Sequence, residues 1–162
     1  MLKARGRMLQ RTREAVMHQS SPRQSPAPGG AIDAVAASIE RLVKTTSEVG
    51  GDVGAAVMQA TEGTLQQARS AGFNALEAVG AAAGGAVRAA AQSGGDVARV
   101  AKSAVEGAIW GAKDLGVDPA EVGAAAAHGA LKAAGDLGGP ALEEVTRAAT
   151  GIIGGVKVQA TK

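Results

Sequence analysis

Glu106, Trp110 and Lys113 stand four and three residues apart in VEGAIWGAK, the spacing that gathers side chains on one face of a helix. Their chemistry is that of recognition. An indole offers a broad apolar face with one N–H donor, and the carboxylate and ammonium beside it add an acceptor and a cation. Trp110 is the single tryptophan of a chain with one Phe and no Tyr, and exposed aromatic residues are favoured anchors for partners. The same spacing allows an internal use, with the indole folded over a neighbouring helix or turn and its N–H donated to Glu106. These three residues are the candidate partner or interface contacts.

Catalytic chemistry finds less material. GAIWGAKD and GIIGGVKV superficially resemble a phosphate-binding loop, but neither has the GxxxxGK[ST] spacing, and both read as helix, where no free amides cradle a phosphate. His128 has Lys132 one turn along and no second His near it in sequence, which fits a solvated surface histidine. The carboxylates are spread among Lys and Arg along one stripe, and no pair is set apart for acid–base work. No catalytic residue, metal or cofactor is expected.

A second chemical feature is basic. Lys3, Arg5, Arg7, Arg11, Arg13 and Arg23 face only Glu14 within residues 1–30, so this region carries +5 while residues 31–162 carry −3. In MLKARGRMLQRTREAVMH the pairs Met1–Leu2, Met8–Leu9 and Ala15–Val16 recur every seven residues, a thin apolar stripe among arginines. Lys3, Arg5, Arg7, Arg11 and Arg13 thus form a candidate docking segment, residues 1–18, for an acidic protein or an anionic membrane surface. QSSPRQSPAPGG, residues 19–30, reads as a flexible Ser/Pro linker. A net charge of +2 for the whole chain is too small for a nucleic-acid-binding surface, so no specific nucleic acid is expected.

The elements that must position these residues come from a repeat. Glycine falls at 50, 72, 94, 116 and 138, a spacing of 22, and GGDV opens two stretches 44 residues apart. Halving the period again gives 11. Counted from Asp33, 24 of the 25 charged residues of 31–162 occupy only five of the eleven positions, and Glu144 alone escapes. Eleven residues make three helical turns, so those positions form one polar arc of roughly 130° and leave roughly 230° apolar. Trp110 stands inside the polar arc. Asp52, Asp96 and Asp118 sit where N-caps belong, Pro119 suits a first helical position, and the glycines before them suit helix ends.

The predicted fold is all-α. Six helices of about 20 residues, near 31–49, 52–70, 74–92, 96–115, 119–137 and 140–157, form three 44-residue helical hairpins over residues 31–162. Hydrophobic residues make up 46% of the chain, yet they are mostly Ala and Val, so cohesion must come from close backbone approach along Ala/Gly faces and not from large anchors. The absence of cysteine removes disulfides and thiol chemistry. No apolar run reaches the length of a membrane span, and a cytoplasmic protein, peripheral to a membrane or granule at most, is expected.

An 11-residue period grouped in 22 and 44, with Gly or Pro at the joints, resembles the exchangeable apolipoproteins. Perilipins, synucleins and the late-embryogenesis helical proteins share the 11-residue period, and the Ala-rich amphipathic helices are similar to those of phasins. The resemblance covers 31–162, concerns architecture, and implies reversible folding on lipid or another interface. From the residues themselves the expected function is a non-enzymatic structural or scaffolding protein that self-associates as a homo-oligomer through Ala/Gly-rich helices. A lipid- or granule-surface binding protein is the alternative, and a stress-protective chain that is disordered in buffer is a third, given 24 glycines and a helix penalty of about 1 kcal/mol for each interior one.

Overall fold

A computed structural model describes residues 28–159. Residues 1–18 and the linker through residue 27 lie outside the described residues, as do the last three. The chain is all-α apart from one short hairpin: α1 Pro28–Glu48, α2 Val53–Ala71, α3 Ala75–Gln92, α4 Val97–Leu115, α5 Pro119–Leu137 and α6 Gly139–Ala149, then β1 Gly151–Ile153 and β2 Val156–Val158. The linker was expected to run to residue 30, but α1 takes its last three residues, helped by a proline whose fixed φ suits a helix start.

The 22-residue glycine column ends the helices. Gly50, Gly72, Gly94, Gly116 and Gly138 all have positive φ, from 69° to 129°, a region that side chains with a Cβ avoid. After α1 to α4 the chain closes a Schellman-type turn, with backbone bonds such as Gly51 N–H to the Thr46 carbonyl at 2.9 Å and Gly95 N–H to the Ala90 carbonyl at 2.7 Å. The next helix is then capped by a side chain: Asp52 accepts from the Ala55 amide, Asp96 from that of Arg99 and Asp118 from that of Ala120. Asn74 does the same for α3, accepting from Leu76 and Glu77.

Short turns make successive helices antiparallel, and the hairpins stack so that alternate helices become parallel neighbours. One row holds α1, α3 and α5, the other α2, α4 and α6, and the most extensive contacts run along the rows, in α3–α5, α2–α4 and α1–α3. Glycine permits this closeness. A methyl at Gly85 would lie 2.8 Å from the Ala36 carbonyl oxygen, and methyls at Gly107 and Gly129 would overlap the Met58 and Gly80 carbonyls. Polar links along the rows set the same register: Arg88 to Glu40 at 3.2 Å, Arg99 to Asp52 at 3.3 Å, and an Arg69 guanidinium N–H to the Leu115 carbonyl at 3.1 Å.

The core between the rows is a mass of alanines around a few larger groups, chiefly Leu65, Ile109, Val43, Val57, Val79, Val87 and Val105. Thr61 and Thr64 are also buried, and each hydroxyl donates to the carbonyl four residues earlier at 2.8 Å, so the polar atoms are satisfied within α2. The apolar arcs read from the sequence are therefore covered by neighbouring helices of the same chain.

One helix departs from expectation. The sixth was predicted to run to 157, but α6 ends at Ala149, Thr150 is extended, and the chain turns into β1 and β2, which pair Gly151 with Val158 and Ile153 with Val156. Gly154 and Gly155 both have positive φ, 57° and 79°, as a two-residue hairpin turn requires. The β-branched Ile152–Ile153 and Val156–Val158 around a Gly-Gly pair prefer pleated strands to helix. Alternation does the rest: Ile153 and Val158 are buried, while Ile152 and Lys157 are exposed.

Candidate partner-contact surface on α4

The expected trio lies on the outer arc of α4, and two of its members meet. Trp110 is 48% exposed, in keeping with its place among charged positions. The Lys113 ammonium sits 4.7 Å from the centre of the indole ring and donates to the Gly154 carbonyl at 2.8 Å. One cation thus ties the indole to the turn of the terminal hairpin. A cation over an exposed ring is worth about 0.5–1 kcal/mol, enough to bias the indole toward one orientation while leaving half of its surface open.

Glu106 does not join them. Its carboxylate lies 3.9 Å from the Lys102 ammonium, one turn back along α4, so the expected bond from the indole N–H to Glu106 is replaced by an ordinary surface pair. The helix geometry explains the difference. A Lys three residues beyond Trp110 can lean over the ring and reach the hairpin, whereas Glu106 has a closer partner of opposite charge on its other side.

Sequence reasoning missed the hairpin half of this surface. The hairpin seats on α4 and α5: a methyl at Gly154 would lie 3.4 Å from Ile109 Cγ2, and one at Gly123 would touch both Ile109 Cγ1 at 3.0 Å and Val158 Cγ2 at 3.4 Å. Ile109 is buried under it while Trp110, the next residue, points out. On the outer side of β1, Ile152 is 81% exposed, the most open large apolar side chain among the described residues. The signal that could have found the arrangement is the Gly154–Gly155 pair between β-branched runs.

Two further features stand beside the site. Glu62 of α2 and Asp114 of α4 are neighbours along the row, and the Glu62 carboxyl is raised above the usual carboxylate range, first by desolvation and then by the Asp114 carboxylate beside it. A cleft between α5, α6 and the hairpin is lined by Leu131, Leu142 and Val158 together with Lys132, Lys157 and His128. His128 is exposed, as expected. Among the described residues, no three His, Cys, Asp or Glu side chains gather as a metal site would need, and no helix is long and apolar enough to cross a membrane.

Of the two loop-like stretches, GAIWGAKD lies within α4, whereas GIIGGVKV is the hairpin and not the helix expected of it. The basic docking residues Lys3, Arg5, Arg7, Arg11 and Arg13 lie outside the described residues. No protein-family model matches this sequence, and neither a curated protein nor a solved structure is significantly similar to it.

Proposed function

We propose that this chain is a non-enzymatic structural module that self-associates, and that the Trp110 surface of α4 is where a second copy docks. The observation that carries the reading is the indole itself, half exposed in an arc of charged residues and held from one side by Lys113. A tryptophan buried for stability alone would sit in the core, where this chain uses Ile109 and Leu65. An indole oriented by a cation and open on its other side suits an interface, because its rotamer freedom is already restricted before a partner arrives. The exposed Ile152 extends the apolar area beyond the hairpin turn.

The test is Trp110→Ala followed by sedimentation velocity and thermal melting. The reading expects association weakened about 30-fold, the effect of losing roughly 2 kcal/mol at a contact hot spot, with the melting temperature of the dissociated chain little changed. Loss of thermal stability with unchanged association would remove Trp110 from the interface. The alternative, a lipid or granule surface as partner, draws on the resemblance to exchangeable apolipoproteins. It requires the helical arcs to leave one another, since they are buried in the rows, so vesicle binding would be accompanied by loss of tertiary packing.

A further inference from the structure

Among the described residues α5 is the last helix of the α1–α3–α5 row, and the cleft beside it follows from that position. Gly129 faces α3, since a methyl there would overlap the Gly80 carbonyl. Leu131, two residues on and so about 200° round the helix, faces the other way. Its counterparts one and two repeats earlier, Val87 and Val43, are buried in the core, whereas Leu131 is only half-buried. The place next to α5 is filled in part by α6, which has 11 residues against the 19 of α5, and by the hairpin. Leu142 of α6 is 38% exposed there, and Val158 of β2 closes the floor. The space has a volume of about 1010 Å³, at the upper end for small-molecule sites.

Charge selects the occupant. Lys132 of α5 and Lys157 of β2 line the cleft with His128, and no Asp or Glu does, although carboxylates outnumber Lys and Arg fourteen to ten over residues 28–159. The repeat explains why Lys132 is left over. Arg88, its counterpart in α3, pairs with Glu40 of α1 at 3.2 Å. The residue 44 places beyond Glu40 is Gly84, so α3 offers Lys132 no carboxylate at that place. Lys157 lies opposite Ile152 in the hairpin. Neither lysine has an ion-pair partner among the described residues. Thr146 and Thr150, on the α6 side, donate their hydroxyl protons to carbonyls four residues earlier, so the ammonium groups are the donors placed to hold an anion. An apolar floor under two cations matches a ligand with an aliphatic chain and an anionic head.

We propose that this cleft binds one single-chain anionic amphiphile, a monomeric fatty-acid carboxylate, with its chain along Leu131, Leu142 and Val158 and its head on Lys132 and Lys157. The proposal is independent of the Trp110 surface. Calorimetric titration of the full-length chain with dodecanoate, kept below its micelle concentration, tests it. A saturable site for one acid per chain is expected. Octanoate, four methylenes shorter, should bind about tenfold more weakly or worse, because less chain leaves water. Dodecyltrimethylammonium, of equal chain length and opposite charge, should not bind there. Lys132→Gln and Lys157→Gln should each weaken dodecanoate about fivefold, with the melting temperature of the ligand-free protein unchanged because both side chains are exposed. The proposal is overturned by the absence of a saturable site or by equal binding of the cationic amphiphile. It is overturned as well by full affinity in the variant lacking both lysines, which would place the acid elsewhere on the chain. Binding to anionic phospholipid vesicles without affinity for monomeric dodecanoate also overturns it, and would make the cleft a membrane contact.

Discussion

Replacing Gly107 by Ala makes the packing of the rows measurable. The new methyl would overlap the Met58 carbonyl oxygen and stand 2.9 Å from the carbonyl carbon and Cα, atoms of α2 backbone that no rotamer change can move aside. Ordinary contact begins near 3.4 Å, so α2 and α4 must part by on the order of 1 Å, which along a seam of small side chains forfeits a quarter to a half of each contact's attraction. Overpacking of this kind costs about 3 kcal/mol at the upper end of the usual range, and the better helix propensity of alanine returns about 1 kcal/mol. The net loss is about 2 kcal/mol. For a chain of this size that lowers the melting temperature by about 6 °C. Gly135→Ala, the same change where no atom of the described residues lies within 4 Å, should raise it by about 3 °C. Circular dichroism melts of both variants decide the matter. An increase for Gly107→Ala would refute the close approach of α2 and α4.

Other changes probe other contacts. Asp96→Ala removes the side-chain acceptor for the Arg99 amide at the start of α4 and should cost about 1 kcal/mol in denaturant unfolding. Val158→Ala empties a buried position under the hairpin, next to Gly123, and is expected to cost about 2 kcal/mol, while Ile152→Ala on the exposed side should leave stability almost unchanged. Glu62 takes up protons more readily in the folded chain than in the unfolded one, since its carboxyl is raised. Its contribution to stability is therefore highest below the ordinary glutamate value, about 4.3, and falls as pH rises through the raised native value. Glu62→Gln should raise stability at neutral pH and flatten that part of the pH–stability curve.

The boundaries of five helices were legible because they rest on local chemistry: a positive-φ glycine after each C-terminus, an aspartate cap at three of the starts, and an 11-residue charge pattern between. The same pattern misled at the C-terminus. Lys157 keeps to the 11-residue charge pattern, yet at this last repeat the β-branched residues around Gly154–Gly155 outweigh the period. The Trp110–Lys113 contact was foreseeable from spacing on one helix. The Lys113 bond to Gly154, which orients it, joins residues 41 apart through a hairpin that the helical reading did not contain. Glu62 and Asp114 likewise become neighbours only once alternate helices are parallel in one row, an arrangement set by which faces stack and not by any local motif.

The central claim is that the wide apolar arcs are covered within the chain, without lipid. Far-ultraviolet circular dichroism of the full-length protein in plain buffer, repeated with anionic phospholipid vesicles, tests it most directly. The account predicts a strongly helical spectrum in buffer, with a cooperative melt, and no gain in helicity when vesicles are added. A random-coil spectrum in buffer that becomes helical only with vesicles would contradict it.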